Sequence, residues 1–232
     1  RELTLKCSKG NIFCRVSSEL ASDAVQFGQS LGTAMVEAVA AGLDYAFFWG
    51  TGVGQPFGVM SSPALITVSK EGSQAADTLQ LENLAKMAAR LSPASFARSF
   101  WHVHPTLVPQ LYLMSFVVKN VAGTENVGGS HVQAVTVDAS GQLRIFGRPC
   151  LVTDACAPVG DLGDIVLADW SRYVIGMRQV VTIKRDESRY FDTDEIAFKL
   201  TLRTTGMPAD STPTKLRDGT NTVSPFVTLE AR

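Results

Sequence analysis

Two histidines stand one residue apart at His102 and His104, a spacing that sets both imidazoles on one side of a strand and suits zinc. The third, His131, is distant in sequence, and no acidic cluster flanks the pair, so ordinary core or surface histidines are the plainer expectation. Asp192-x-Asp194-Glu195, after Arg189-Tyr190-Phe191, offers carboxylates to a divalent cation. It lacks the Gly and distal Glu of an EF-hand loop, and a turn before the following strand is the plainer expectation. The stretch "FFWGTGVGQPFG" places Gly50, Gly52, Gly54 and Gly58 close together, as a phosphate-cradling loop does.

That loop stands in the wrong context for nucleotide. A dinucleotide fingerprint leaves a strand and opens a helix, whose terminal amides face the pyrophosphate. Here the glycines follow a long helical pattern, and the partial negative charge at a helix C-terminus repels phosphate. The spacing is not G-x-G-x-x-G, Pro56 blocks an immediate helix, and no Lys follows as in a P-loop. Glycine does suit ending a helix in a left-handed turn and reversing the chain. There is no G-x-S-x-G and no Cys set beside a His in a nucleophile pattern. The residues predict no catalytic site, no cofactor and no metal centre.

The elements around these residues read as α+β. "ELTLKC" and "NIFCRV" alternate as half-buried strands do. From about Ser18 to Phe48 runs a helical pattern with polar residues at Ser22, Gln26, Gln29, Thr33, Glu37 and Asp44. The remainder is apolar or small, which predicts a broad buried face with one narrow wet stripe. A helix this long acts as a spine. "LQLENLAKMAARL" is helical, "FARSFWHVH" strand-like, and Pro105 opens a further helix. "VAGTENVGGS" reads as a loop, and the next strands meet at a turn, Ala139-Ser140-Gly141. "EIAFKLTLR" alternates cleanly, a long turn-rich segment follows, and "PFVTLE" is a closing strand.

Composition narrows the class. The chain has 232 residues, enough for one domain or two small ones with a real core. Its net charge of -1 gives no global field to recruit nucleic acid or an anionic membrane. Glu37 and Asp44 interrupt the apolar run Ala34–Trp49, arguing against a membrane span. Four cysteines, Cys7, Cys14, Cys150 and Cys156, lack disulfide-framework density, and reduced thiols are expected, with Cys14 as a small core residue. Arg1 leads straight into "ELTLKC" without an initiating Met, as in a chain that begins inside a longer gene product.

Taken in order, several stretches resemble the major capsid protein of tailed bacteriophages, the Hong Kong 97-like fold. "RVSSELASDA" is similar to the family's "S-x-E-L-x-x-D" at the start of its spine helix. "DYAFFWGTGVGQPFGVM" is similar to "D-x-A-x-x-x-G-x-G-x-x-x-P-x-G". "LRIFGRPCLVTDACAP" resembles "G-x-P-V-x-x-S-D-x-M-P", and "DIVLADWSRYVIGMRQVVTIKRD" resembles the "I-x-x-G-D-x-x-x-Y" strand and its sequel. "FKLTLR…VSPFVTL" resembles the family's closing stretch. Each motif alone is weak; five in order span nearly the whole chain.

The resemblance implies a structural, non-enzymatic head protein that self-assembles into pentameric and hexameric capsomers. Their icosahedral shell encloses double-stranded DNA without specific binding. It implies a virion protein assembled in the bacterial host cytoplasm, with portal, scaffold or prohead protease as further partners and no membrane or small-molecule substrate. Residues 1–8 become the returning strand of a truncated E-loop. Residues 9–60 and 183–232 form a peripheral (P) domain with a spine helix of about 18–48, and 61–182 an axial (A) domain. Segment 205–222, longer than usual in the family, is expected to touch other subunits. The phage that names the fold crosslinks Lys to Asn with help from a Glu; the Asn falls at Asp194 and the Glu at Thr201, so a shell without crosslinks is implied. Two alternatives remain: an encapsulin-type nanocompartment shell, or a small nucleotide-binding α+β enzyme using the Gly50–Gly58 loop. The same fold also forms gene-transfer particles.

Overall fold

A computed structural model describes residues 3–23, 27–119, 126–133 and 135–232, with Asp23, 115–119 and 126–133 described by backbone alone. In chain order the elements are β1 (Ser8–Ser17), α1 (Ser18–Asp23), α2 (Phe27–Trp49), β2 (Ile66–Val68), α3 (Leu81–Arg90), α4 (Pro93–Phe96) and β3 (Phe100–Val103). Then come α5 (Val108–Leu113), β4 (Ser115–Lys119), β5 (Asn126–Gln133), β6 (Val135–Val137), β7 (Leu143–Ile145), β8 (Arg148–Val152) and β9 (Ile165–Ala168). The chain continues through β10 (Tyr173–Asp186), β11 (Glu195–Pro208), β12 (Thr214–Lys215), β13 (Thr222–Val223) and β14 (Phe226–Leu229).

The chain divides into two compact units, Arg1–Ser61 with Val174–Ala209, and Ser62–Tyr173 with Asp210–Arg232. The first unit is a three-stranded sheet in the order β1-β11-β10, with β1 antiparallel to β11 from Ser8↔Thr204 to Ser17↔Glu195. The alternation of "EIAFKLTLR" turns Leu200 and Leu202 toward α2, where Met35 and Val39 meet them. Ser17 caps the start of α1, its hydroxyl accepting from the Leu20 N–H at 3.4 Å.

Several expectations need correction here. Leu3–Cys7 is not strand, and regular pairing starts at Ser8. The preceding residues approach β10 instead: Leu5 packs against Gly176, and the Cys7 thiol donates to the Gly176 carbonyl at 3.7 Å. The burial expected of the spine helix is inverted. In α2 only Met35, Val39, Ala46 and Phe48 are buried, while Val36 and Tyr45 face solvent, because a single chain offers one sheet surface to cover the helix. Residues 24–26 of the expected helix lie outside the described residues. By length and composition, Phe27–Trp49 is apolar enough to cross a membrane, contrary to the reading of the shorter run Ala34–Trp49, because two carboxylates in 23 residues do not offset so many Ala, Val and Phe. Cys14 is only half-buried; Cys150 and Cys156 are the buried pair, and all four thiols are free.

The second unit is built on a seven-stranded sheet, β2-β14-β9-β3-β8-β7-β6. β14 lies parallel to β2 and antiparallel to β9, and β3 lies antiparallel to β9 and parallel to β8. β9 and β14 are buried at every position, as befits strands covered on both faces. The amphipathic α3 adds Leu84 and Met87 to a core that includes Trp101, Leu107, Leu111 and Ile145. Trp101 keeps its indole N–H satisfied by donating to the Ile145 carbonyl at 3.2 Å.

This division groups two segments differently from the expected domains. Residues 174–182 belong with the first unit because β10 continues unbroken to Asp186 beside β11. Residues 210–232 belong with the second because β14 sits between β2 and β9. The stretch read as a loop at 121–130 enters β5 at Asn126, and its earlier part lies outside the described residues.

Candidate functional site

The glycine loop is a chain reversal. Gly50 closes the last turn of α2 by donating to the Ala46 carbonyl at 2.8 Å, and Gly52 donates to Pro56 at 3.2 Å. The chain then runs back along the helix end: Gly58 donates to Gly50 at 2.8 Å, Val59 to Phe47 and Met60 to Phe48, each at 2.9 Å. Phe57 ties the loop to β11 through the Gly206 carbonyl at 2.7 Å. Gly52 and Gly54 hold φ of +80° and +72°. At Gly50 and Gly58 the constraint is space, since a Cβ would collide with the Pro56 and Phe48 carbonyls respectively. The amides of Gly50, Gly52 and Gly58 already donate to carbonyls, so those three are not open to a phosphate.

The histidine pair separates. His102 lies buried in β3, and its Nε2 accepts from the Trp170 indole. Burial lowers its pKa to about 4, so the ring is neutral at pH 7. His104 follows the strand and caps the short helix Pro105–Leu107, its Nδ1 lying 2.8 Å from the Thr106 hydroxyl. His131 lies in β5, where only backbone is described. Among the described residues no three His, Cys, Asp or Glu side chains converge as metal ligands. Burial pushes the Cys150 and Cys156 thiols up to about 12, which keeps both protonated and unreactive at neutral pH.

The acidic stretch is a turn in which Asp194 and Glu195 are engaged within the chain and Asp192 is exposed. Asp194 takes the left-handed conformation at φ 52°, and its carboxylate accepts from the Ser18 hydroxyl. The Ser18 N–H donates to the Asp194 carbonyl at 3.0 Å, while Glu195 pairs with Arg15 at 3.5 Å. Thr201 donates to the Asn11 side chain at 3.0 Å. Around this turn lies a cleft of about 540 Å³, lined in part by Glu19, Arg185, Tyr190 and Asp194.

Surface dominates what remains. β10 is 14 residues long and stands at a sheet edge, with Ile175, Met177, Val180 and Ile183 exposed. Phe191, used in the sequence only as a landmark, is 88% exposed. Unpaired strand edges and uncovered apolar side chains are the chemistry of association between chains. Sequence periodicity marked these positions as apolar but carried no signal of which would remain uncovered.

Known proteins agree with a chain built from surfaces. No curated protein matches the sequence. Among solved structures, the capsid of an empty GTA particle shares 16% identity with a TM-score of 0.69, over 99% of this chain and 75% of that one. A structure from Mycobacterium phage Adephagia shares 16% identity at 0.65, over 97% and 72%. The encapsulin SrpI from Synechococcus elongatus PCC 7942 shares 11% identity at 0.59, over 97% and 73%. At such identities these likenesses show the fold, the Hong Kong 97-like architecture expected from the motifs. A family model described as the phage capsid family matches residues 1–218, and the chain belongs to that family of structural head proteins.

Proposed function

We propose that copies of this chain associate side by side as pentameric and hexameric capsomers of an icosahedral shell around double-stranded DNA. In this reading it is the non-enzymatic major head protein of a tailed phage or prophage, assembled in the host cytoplasm. The observation that carries the reading is the uncovered apolar surface of the first unit, namely the solvent-facing side of α2 and the open edge of β10. A monomer gains nothing from exposing them, whereas a wall buries them against its neighbours. Net charge near zero suits the same end, since copies do not repel one another and do not adhere strongly to the DNA inside.

In this reading the unit holding α2 serves as the peripheral domain and the other as the axial domain. Beyond residues 205–208, which complete β11, the segment 205–222 contacts further subunits; removing its exposed part, 211–221, should leave folded, isolated capsomers, and unchanged shells would refute that role. Portal, scaffold and a prohead protease are further partners in the same scheme. Electron microscopy with light scattering on the full-length gene product tests the whole. Uniform hollow shells, or capsomers that convert to them, are expected, and a monodisperse monomer at every salt, pH and concentration would overturn the proposal.

The likeness to an encapsulin favours one second reading, a shell around a protein cargo. Nuclease-protected DNA in purified particles separates it from the first.

A further inference from the structure

Phe191 projects into solvent from a braced turn. The N–H groups of Thr193 and Glu195 both donate to the Tyr190 carbonyl, at 3.2 and 3.3 Å, and Asp194 is tied to Ser18 through main chain and side chain. The Tyr190 ring packs near Phe13, with Arg15 at 5.2 Å and Arg189 at 5.7 Å over it. A large apolar group held out on such a turn loses little entropy when it is buried, and Phe, Tyr and Arg are the residues that dominate interface energies.

The neighbouring cleft is of mixed character, and Phe191 itself and Arg185 stand among its lining. Glu19, in the first turn of α1, and Asp194 line it, while Glu187 is paired with Arg185 at 2.5 Å. Ala21 and Ile196 give it an apolar part. Each copy therefore carries, on one turn, the exposed Phe191 and Arg189 beside a recess that Phe191 helps to line and that Glu19 and Asp194 edge with carboxylates.

Resting on the reading of the chain as self-associating, we propose that this turn is a docking site for a second copy. Phe191 and Arg189 of one copy enter the cleft of another, with Arg189 meeting Glu19. Projection and recess differ, so each contact pairs unlike surfaces of the two copies. The charges set register and orientation; the aromatic ring supplies affinity.

Sedimentation velocity and electron microscopy on the full chain and its variants test the proposal. Phe191→Ser and Arg189→Glu are each expected to raise the concentration needed for assembly about tenfold or more. The double variant Glu19→Arg/Arg189→Glu should restore most of the loss, and Phe191→Leu should lose less than Phe191→Ser. Circular dichroism and the unfolding midpoint should stay unchanged, because the altered side chains are exposed. If the single variants assemble at the parent concentration, or the charge exchange restores nothing, the docking site is wrong and the shell reading stands. A parent chain that never assembles removes both.

Discussion

Trp170 donates its indole N–H to Nε2 of His102 across 3.0 Å, and the two rings meet edge to face at 81°. Because indole nitrogen only donates, the accepting imidazole nitrogen must be unprotonated. Unfolded, this histidine titrates near 6.5; folded, it titrates near 4. Between those values the unfolded chain holds the extra proton, so acid favours unfolding. The contribution is complete above about pH 6.5 and is lost as pH falls toward 4, to the extent of about 3 kcal/mol. Urea titrations at pH 7 and 4.5 should show this loss in the parent and less of it in His102→Gln. Equal losses would rule out His102 as the source.

Arg232 and Asp164 form an ion pair in which neither side chain is exposed to solvent. Arg232 also donates to the Thr78 carbonyl, and the Gly160 N–H donates to Asp164 at 3.1 Å. Burial raises the Asp164 pKa despite that company. Arg232→Met strands a buried carboxylate and should cost about 3–5 kcal/mol in chemical denaturation. Asp164→Leu/Arg232→Met should cost clearly less than the single change, because no lone charge remains.

The glycines of the chain reversal should differ in their tolerance of alanine. Gly54→Ala meets open space and only the left-handed backbone penalty, about 1–2 kcal/mol. Gly58→Ala drives a methyl into the Phe48 carbonyl and should cost about 3 kcal/mol or more, or prevent folding. Adding ATP or NAD should leave the parent's midpoint unmoved, while a saturable rise would restore the nucleotide reading of Gly50–Gly58.

Val180 in the edge strand is 70% exposed. Val180→Lys should change the stability of the isolated chain by less than about 0.5 kcal/mol. Particle yield, measured by sedimentation, should fall if that edge is covered in the shell. Equal yields would take β10 out of the contact surface.

Asp194 and Thr201 supply neither the amide nor the base of an isopeptide crosslink, and each is held in a bond within its own chain. Mature particles boiled in detergent and reductant should run as a single chain on gels. A ladder of multimers would show a crosslink made by other residues.

Elements with a strong period were legible in the sequence: α3, β11 and the turn at Ala139-Ser140-Gly141 stand where periodicity and glycine put them. The first part of β5, residues 126–130, was missed because Gly128 and Gly129 give no side-chain alternation to read, while 131–133 were read as strand. The burial of α2 was misjudged for a deeper reason. Apolar residues mark what a helix can bury, whereas what it does bury depends on which surfaces the fold brings to it. The candidate site was hidden in the same way. Arg189 and Phe191 are plain in the sequence, but the recess beside them is built with α1, and nothing local announces that meeting.

The placement of β14 bears on how this chain is made. Its pairing with β2 and β9 joins segments that leave the ribosome far apart in time. Until Phe226–Leu229 emerges, β2 has no strand to join it to the sheet, and β9 lacks a neighbour on one side. Such long-range pairing is slow to form. A chain still short of β14 thus lacks a finished second unit, although nearly all of its residues have been made.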